Sequence, residues 1–116
     1  MKKILITGAS GFIGSFIVEE ALRRGLETWA AVRPTSSLRY LQDARVHLLT
    51  LDLQDPVRLM EQLRPHRFDY IVHAAGATKC QDPADFFRVN RDGTRHLFQA
   101  IRALAMPVER IVFLSS

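Results

Sequence analysis

This chain of 116 residues predicts an α/β fold, a doubly wound parallel sheet with helices on both faces. Three observations carry that expectation. Short apolar runs of strand length alternate with stretches of helical periodicity from one end of the chain to the other, a pattern that builds parallel sheets. A glycine-rich turn follows the first apolar run directly and opens a helical pattern. Asp-Pro occurs twice, at Asp55-Pro56 and Asp82-Pro83, each time ahead of a helical stretch, as an N-cap followed by a proline in the first turn.

The elements follow in order. The first strand, about Lys3–Thr7, holds Ile4-Leu5-Ile6. The first helix runs from about Gly11 to Arg24. Gly14, Ile17, Val18, Ala21, Leu22 and Gly25 make one stripe on it, and Gly25 suits the residue just past its end. The second strand is about Thr28–Val32. A polar loop, Arg33-Pro34-Thr35-Ser36-Ser37, comes next, and a short helix is predicted over Leu38–Asp43. The third strand is about Val46–Leu51, followed by a helix from the Asp55 cap to about Leu63 and a fourth strand at Tyr70–His73. A long helix then runs from Asp82-Pro83 to about Ala105, with Phe87, Thr94, Leu97, Phe98, Ile101 and Leu104 on its apolar stripe. The fifth strand is Ile111–Leu114. With the glycine turn after strand one, the expected strand order is 3-2-1-4-5, a Rossmann-type arrangement ending after strand five. A ligand is expected at the carboxyl ends of strands one and four, where the connections diverge.

Composition narrows the classes. Apolar residues make up 47% of the chain and charged residues 24%, ordinary globular usage. The length suits one domain. No apolar run approaches the roughly 20 residues of a membrane helix, and no secretory leader pattern opens the chain. A single cysteine, Cys80, excludes an internal disulfide and suits a reducing cytoplasm. The net charge of +4 comes from scattered arginines with no interleaved aromatic residues, which argues against nucleic acid as the ligand.

The glycine turn reads Thr7-Gly-Ala-Ser-Gly-Phe-Ile-Gly-Ser15. Gly8 lets the chain reverse, Gly11 lets the backbone approach a pyrophosphate, and Gly14 lets the helix pack closely on the strand. The first amides of the following helix lack internal partners and sit at the positive end of its dipole, so they suit a phosphate. The ribose-binding rule expects an acidic residue at the end of strand two, some 20 residues on. This chain has Val32 and then Arg33. A guanidinium pairs with a 2′-phosphate that a carboxylate would repel, which favours NADP over NAD. In the alternative, Arg33 is a solvated loop residue that stacks on adenine.

Thr7 with Gly8, Gly11, Phe12, Ile13 and Gly14 resembles the T-G-x-x-G-F-I-G opening of the extended short-chain dehydrogenase/reductase family. That family includes nucleotide-sugar epimerases and dehydratases and the flavonol and steroid reductases. The resemblance implies that Asp52-Leu53 contacts the adenine edge; a turn-capping role for Asp52 is the alternative, and the two are compatible. It implies that Ala74, Ala75 and Gly76, in His73-Ala74-Ala75-Gly76, lie beside the ribose and pyrophosphate, with His73 structural. Thr78 and Lys79 follow on a loop over the cofactor. Asn90, in Asn90-Arg91-Asp92-Gly93-Thr94, matches the family's N-x-x-G-T signature and supports the site. The terminal Ser115-Ser116 pair matches the end of the family's fifth strand, which makes Ser116 the catalytic hydroxyl and Ser115 a cofactor neighbour.

The family's Y-x-x-x-K pair has no counterpart: Tyr40 is followed four residues on by Ala44, and Tyr70 by Ala74. The chain therefore reads as the first five strands of a longer enzyme, a dinucleotide-binding piece without turnover of its own, whose fifth strand is left unprotected. The expected parent is an NAD(P)-dependent reductase, epimerase or dehydratase. It acts on a nucleotide sugar or small carbonyl compound, and is dimeric through the long helix. The alternatives are a non-catalytic NADP sensor and an interaction module that uses the arginine face of that helix.

Overall fold

A computed structural model describes residues 1–33, 41–74 and 83–114. Its elements are β1 (Lys3–Thr7), α1 (Phe12–Arg23), β2 (Glu27–Val32), β3 (His47–Thr50), α2 (Pro56–Leu63), β4 (Tyr70–His73), α3 (Pro83–Ala103) and β5 (Arg110–Phe113). The strands form one parallel sheet in the order β3-β2-β1-β4-β5, as the sequence predicts. β1 lies at its centre, pairing Ile4, Leu5 and Ile6 with Thr28, Trp29 and Ala30 on one side and with Tyr70, Ile71 and Val72 on the other.

The pleat of β1 divides the core. Ile4 and Ile6 point to the face covered by α1, where they pack with Ala9, Val18, Ala21, Ala30 and Leu41. Leu5 points to the opposite face, among Leu59 and Leu63 of α2, Leu97, Ala100 and Ile101 of α3, and Phe68, Ile71 and Met106. Successive strand residues face opposite ways, so a fully buried central strand reads as an unbroken apolar run rather than an alternating one. The fully buried residues of α1 are small, Gly14, Val18 and Ala21, and bring the helix close. The α2–α3 face is filled by leucine and phenylalanine.

Local chemistry sets the helix ends. Asp55 caps α2 by accepting a hydrogen bond from the Arg58 amide, with Pro56 in the first turn. α1 closes as the position of Gly25 predicts. Gly25 has φ 76°, its amide donates to the Leu22 carbonyl, and the Leu26 amide donates to that of Ala21. α3 closes with the same pair of bonds, Ala105 to Arg102 and Met106 to Ile101, but its left-handed residue is Ala105, at φ 49°. The helix predicted to reach Ala105 thus stops at Ala103, because Ala105 has already left the helical region. Of the short helix predicted over Leu38–Asp43, residues 38–40 lie outside the described residues and 41–43 are not helical. Asp43 forms a turn instead. It accepts the Arg45 amide at 2.9 Å and pairs with the Arg45 guanidinium at 2.8 Å, which holds its carboxyl down to about 2.

β5 is an edge strand, and Val112 and Phe113 are each exposed by more than two-fifths. Among the described residues no helix is long and apolar enough to cross a membrane.

The two helix ends make opposite predictions. A Cβ at φ near +60° costs about 1–2 kcal/mol, partly offset by changes in unfolded-chain entropy. Gly25→Ala is expected to destabilise the chain by roughly 1 kcal/mol, although nothing stands within 4 Å of the added methyl. Ala105→Gly is expected to stabilise it by roughly 0.5 kcal/mol. Urea unfolding of both variants measures the signs.

Candidate functional site

The carboxyl ends of β1 and β4 lie side by side, with Thr7 opposite His73. Beyond Thr7 the chain turns at Gly8, φ 69°, and the Gly11 amide closes the turn on the Gly8 carbonyl at 3.1 Å. α1 starts directly after, with its first helical bond from the Ser15 amide to the Gly11 carbonyl.

The two later glycines differ. A Cβ on Gly14 would stand 2.1 Å from the Gly8 carbonyl oxygen and 2.9 Å from the Ala9 Cα, so the contact between α1 and the turn requires the missing side chain. A Cβ on Gly11 would meet only the Gly8 oxygen, at an ordinary 3.4 Å, on a backbone of φ −79° and ψ 172° open to any residue. The fold requires glycine at 14 and does not require it at 11.

The start of α1 is electrostatically open. Its N-cap, Gly11, has no side chain to cap it, and no acidic residue lies in its first turn. α2, by contrast, has its first turn closed by Asp55. Phe12 and Ile13 are exposed at this open end, and Phe12 packs edge-on against Phe16 with centroids 5.0 Å apart. Arg33, at the end of β2, is exposed as well.

A buried polar chain crosses the floor of the site. The Thr7 hydroxyl and His73 Nδ1 share a hydrogen bond of 2.7 Å, and His73 Nε2 and the Thr94 hydroxyl share another of 3.0 Å. A neutral imidazole has one donor and one acceptor nitrogen, and either hydroxyl can play either part, so every group is satisfied. The Ala74 amide donates to the Thr7 carbonyl at 3.2 Å and carries the β1–β4 pairing one residue further. Burial pushes the His73 imidazole below its ordinary value of 6.5.

Asp52 and Leu53 follow β3 in a tightly held turn. The Asp52 amide donates to Gln62 Oε1 at 2.8 Å, and Asp52 Oδ1 accepts the Gln54 amide at 3.1 Å. The turn-capping role of Asp52 is therefore present, and among the described residues Oδ2 has no partner. α3 holds this turn from the other side. Gln54 Nε2 donates to the Val89 carbonyl at 3.1 Å, and His96 Nδ1–H donates to that of Leu53 at 2.6 Å. Sequence reasoning misses Gln54 and His96, because their partners lie 35 and 43 residues away, beyond any local pattern. Asn90 lies half-buried in the adjoining turn of α3. Ala75, Gly76, Thr78, Lys79, Ser115 and Ser116 lie outside the described residues.

A parallel sheet in this order, with a glycine turn closing its central strand and an open helix end above, defines a Rossmann-type protein. The chain belongs to the NAD dependent epimerase/dehydratase family, whose profile matches residues 4–116. It is 33% identical to UDP-glucose 4-epimerase of Mus musculus, over 100% of this chain and 38% of that protein. It is 32% identical to the chloroplastic divinyl chlorophyllide a 8-vinyl-reductase of Zea mays, over 87% of this chain and 27% of that one. The crystal structure of the UDP-glucose 4-epimerase of Thermus thermophilus in complex with NAD superposes with a TM-score of 0.80. Its identity is 34%, with 98% of this chain and 37% of that one covered. The chain thus spans between about a quarter and two-fifths of these relatives' length.

Two outcomes are expected. Gly14→Ala should cost more than about 3 kcal/mol, because backbone rather than a mobile side chain blocks the methyl; Gly11→Ala should unfold at nearly the wild-type urea concentration. His73 makes stability depend on pH. Its folded value lies below its unfolded value, so the unfolded chain takes up the proton first, and stability falls as the pH drops from about 6.5 toward the lowered value. Thermal unfolding between pH 7.5 and 5.5 should show this fall, and it should be shallower in His73→Gln.

Proposed function

We propose that residues 1–116 form the NAD(P)-binding unit of an extended short-chain dehydrogenase/reductase: an oxidoreductase, epimerase or dehydratase acting on a nucleotide sugar or small carbonyl compound. The observation that carries this reading is Gly11. It is a glycine the fold does not require, at the uncapped start of a helix, where a side chain would stand between the first amides and an approaching phosphate. Family membership and the relatives' names support the class.

The residues present fit a dinucleotide. The amides of the Phe12–Gly14 turn would hold the pyrophosphate, Gly8 and Gly14 keeping turn and helix in contact beneath it. Asp52 and Leu53 would take the adenine edge, and Ala74 with Ala75, Gly76 and Thr78 would lie along the ribose side. Asn90 and Ser115 belong to the same cofactor-facing group. The bound dinucleotide supplies hydride transfer to or from a carbon bearing a hydroxyl or carbonyl. Ser116 would donate a hydrogen bond to that oxygen and orient it. Arg33 favours NADP, since its guanidinium can pair with the 2′-phosphate; NAD is the second candidate. A homodimer through α3, a cytoplasmic location and the absence of nucleic-acid and membrane partners complete the reading. A non-catalytic NADP sensor is the alternative, one that keeps Gly11 and Arg33 but lacks the acid–base residues.

Calorimetric titration with NADP and NAD tests this. NADP should bind at least about tenfold more tightly, the scale of one charge-assisted hydrogen bond, and Arg33→Ala should erase the difference. Gly11→Ala should abolish binding of both while leaving unfolding unchanged. A folded wild-type chain that binds neither, or a Gly11→Ala variant that binds as well as wild type, overturns the reading.

A further inference from the structure

The turn after β3 is closed by contacts of its own and is also held from α3. Asp55 caps α2, the Gln62 side chain accepts the Asp52 amide, and the Asp55 amide donates to the Asp52 carbonyl at 3.4 Å, so the turn is already closed within the β3–α2 connection. Yet α3 adds three further contacts. Gln54 reaches across to the Val89 carbonyl, His96 donates to the Leu53 carbonyl, and the backbone of Gly93 comes close beneath both. A Cβ on Gly93 would stand 3.3 Å from Gln54 Nε2 and 3.5 Å from Leu53 Cβ, so the helix surface is hollowed where the turn sits. A carbonyl oxygen only accepts, so the His96 bond fixes the proton on Nδ1.

The arrangement of Gln54 is specific. Its backbone amide donates to Asp52 Oδ1, and its side chain is fixed to α3. One carboxylate oxygen of Asp52 is thereby held, and among the described residues the other has no partner. We propose that Gln54 and His96 are positioning residues for nucleotide-base selection. Through them α3 fixes the azimuth of the Asp52 carboxylate, so that Oδ2 accepts the exocyclic amino group of adenine and rejects a base with a carbonyl there. This deepens the dinucleotide reading and rests on it. Recognition of this kind depends on orientation more than on affinity. A carboxylate free to rotate would accept a hydrogen bond from many ligands, and one held by a second contact discriminates between donor and acceptor.

The test compares NADP with its hypoxanthine analogue, in which a carbonyl replaces that amino group and the neighbouring ring nitrogen N1 becomes an N–H donor. Both are titrated calorimetrically into wild type, Gln54→Ala, His96→Ala and His96→Asn, with thermal unfolding followed in parallel. Wild type should prefer NADP by about tenfold, the scale of a hydrogen bond to a charged group. In Gln54→Ala and His96→Ala the preference should fall below about threefold, with the analogue binding as it does to wild type. His96→Asn, whose amide can replace the Nδ1–H, should restore it. A purely structural role would weaken both ligands in proportion to lost stability and leave their ratio intact, and that result overturns the proposal. So does a wild-type chain that binds both ligands equally, since Asp52 then reads no amino group. A wild-type chain that binds neither ligand overturns the dinucleotide reading and this inference with it.

Discussion

The contact between Gly14 and the Gly8 carbonyl is the constraint on which the rest of the α1 face depends. With 2.1 Å between that oxygen and the place a Cβ would occupy, the first turn of α1 rests on the turn after β1 with nothing between them. A helix seated this close favours small side chains where it meets the sheet, and its fully buried residues are Gly14, Val18 and Ala21. Ala9, Val18, Ala21 and Ala30 fill the interface with Ile4, Ile6 and Leu41, and Ile17 and Leu22 pack against it half-buried. Three large apolar residues near the start of the helix, Phe12, Ile13 and Phe16, turn outward and stay exposed. The same seating aims the helix start, uncapped and without a nearby acid, over the end of the central strand. One steric requirement thus fixes both the packing of α1 and the direction in which its dipole points.

The opposite face is organised by a polar chain rather than by a close contact. His73 is 4% exposed, and burial of an imidazole costs free energy unless both nitrogens find partners. Thr7 and Thr94 supply them, so the chain runs from β1 through β4 into α3 and crosses the sheet where the site lies. The lowered proton affinity of His73 follows from burial, and it keeps the ring neutral near pH 7, the form in which one nitrogen donates and the other accepts. Apolar packing along Leu97, Ala100 and Ile101 holds α3 to the sheet, and the Thr94 hydroxyl ties it to the end of β4.

What the sequence makes legible divides along similar lines. β1, α2 and β4 are found where the residues predict them, because Ile4-Leu5-Ile6, Asp55-Pro56 and Tyr70–His73 carry their own local signals. Gly25 likewise announces the end of α1. The end of α3 falls short of its predicted place because Ala105 adopts a glycine-like conformation without being glycine, and identity alone does not disclose it. Leu41–Asp43 fits a helical pattern, but the Asp43 carboxylate binds the Arg45 amide and guanidinium and makes a turn instead. Within the site, the turn at Gly8 and the close contact at Gly14 can be read from spacing. The division between a glycine that the fold needs and one that it does not cannot, since it depends on which atoms face each missing Cβ.

The least legible feature is the junction of α3 with the turn after β3, and its parts show why. Gly93 matches a signature without disclosing what it makes room for, and Gln54 and His96 match nothing. They meet only because the order β3-β2-β1-β4 and the packing of α2 beside α3 bring residues from both sides of β4 together. Once assembled, that junction makes α3 a single rigid member with two attachments. One, through Thr94 and His73, reaches the end of the central strand at Thr7. The other, through Gln54 and His96, is to the turn bearing Asp52. The spacing of Thr94 and His96 along one helix then sets the separation of the two attachments. A substitution that slides α3 along its axis would alter both attachments together rather than either alone.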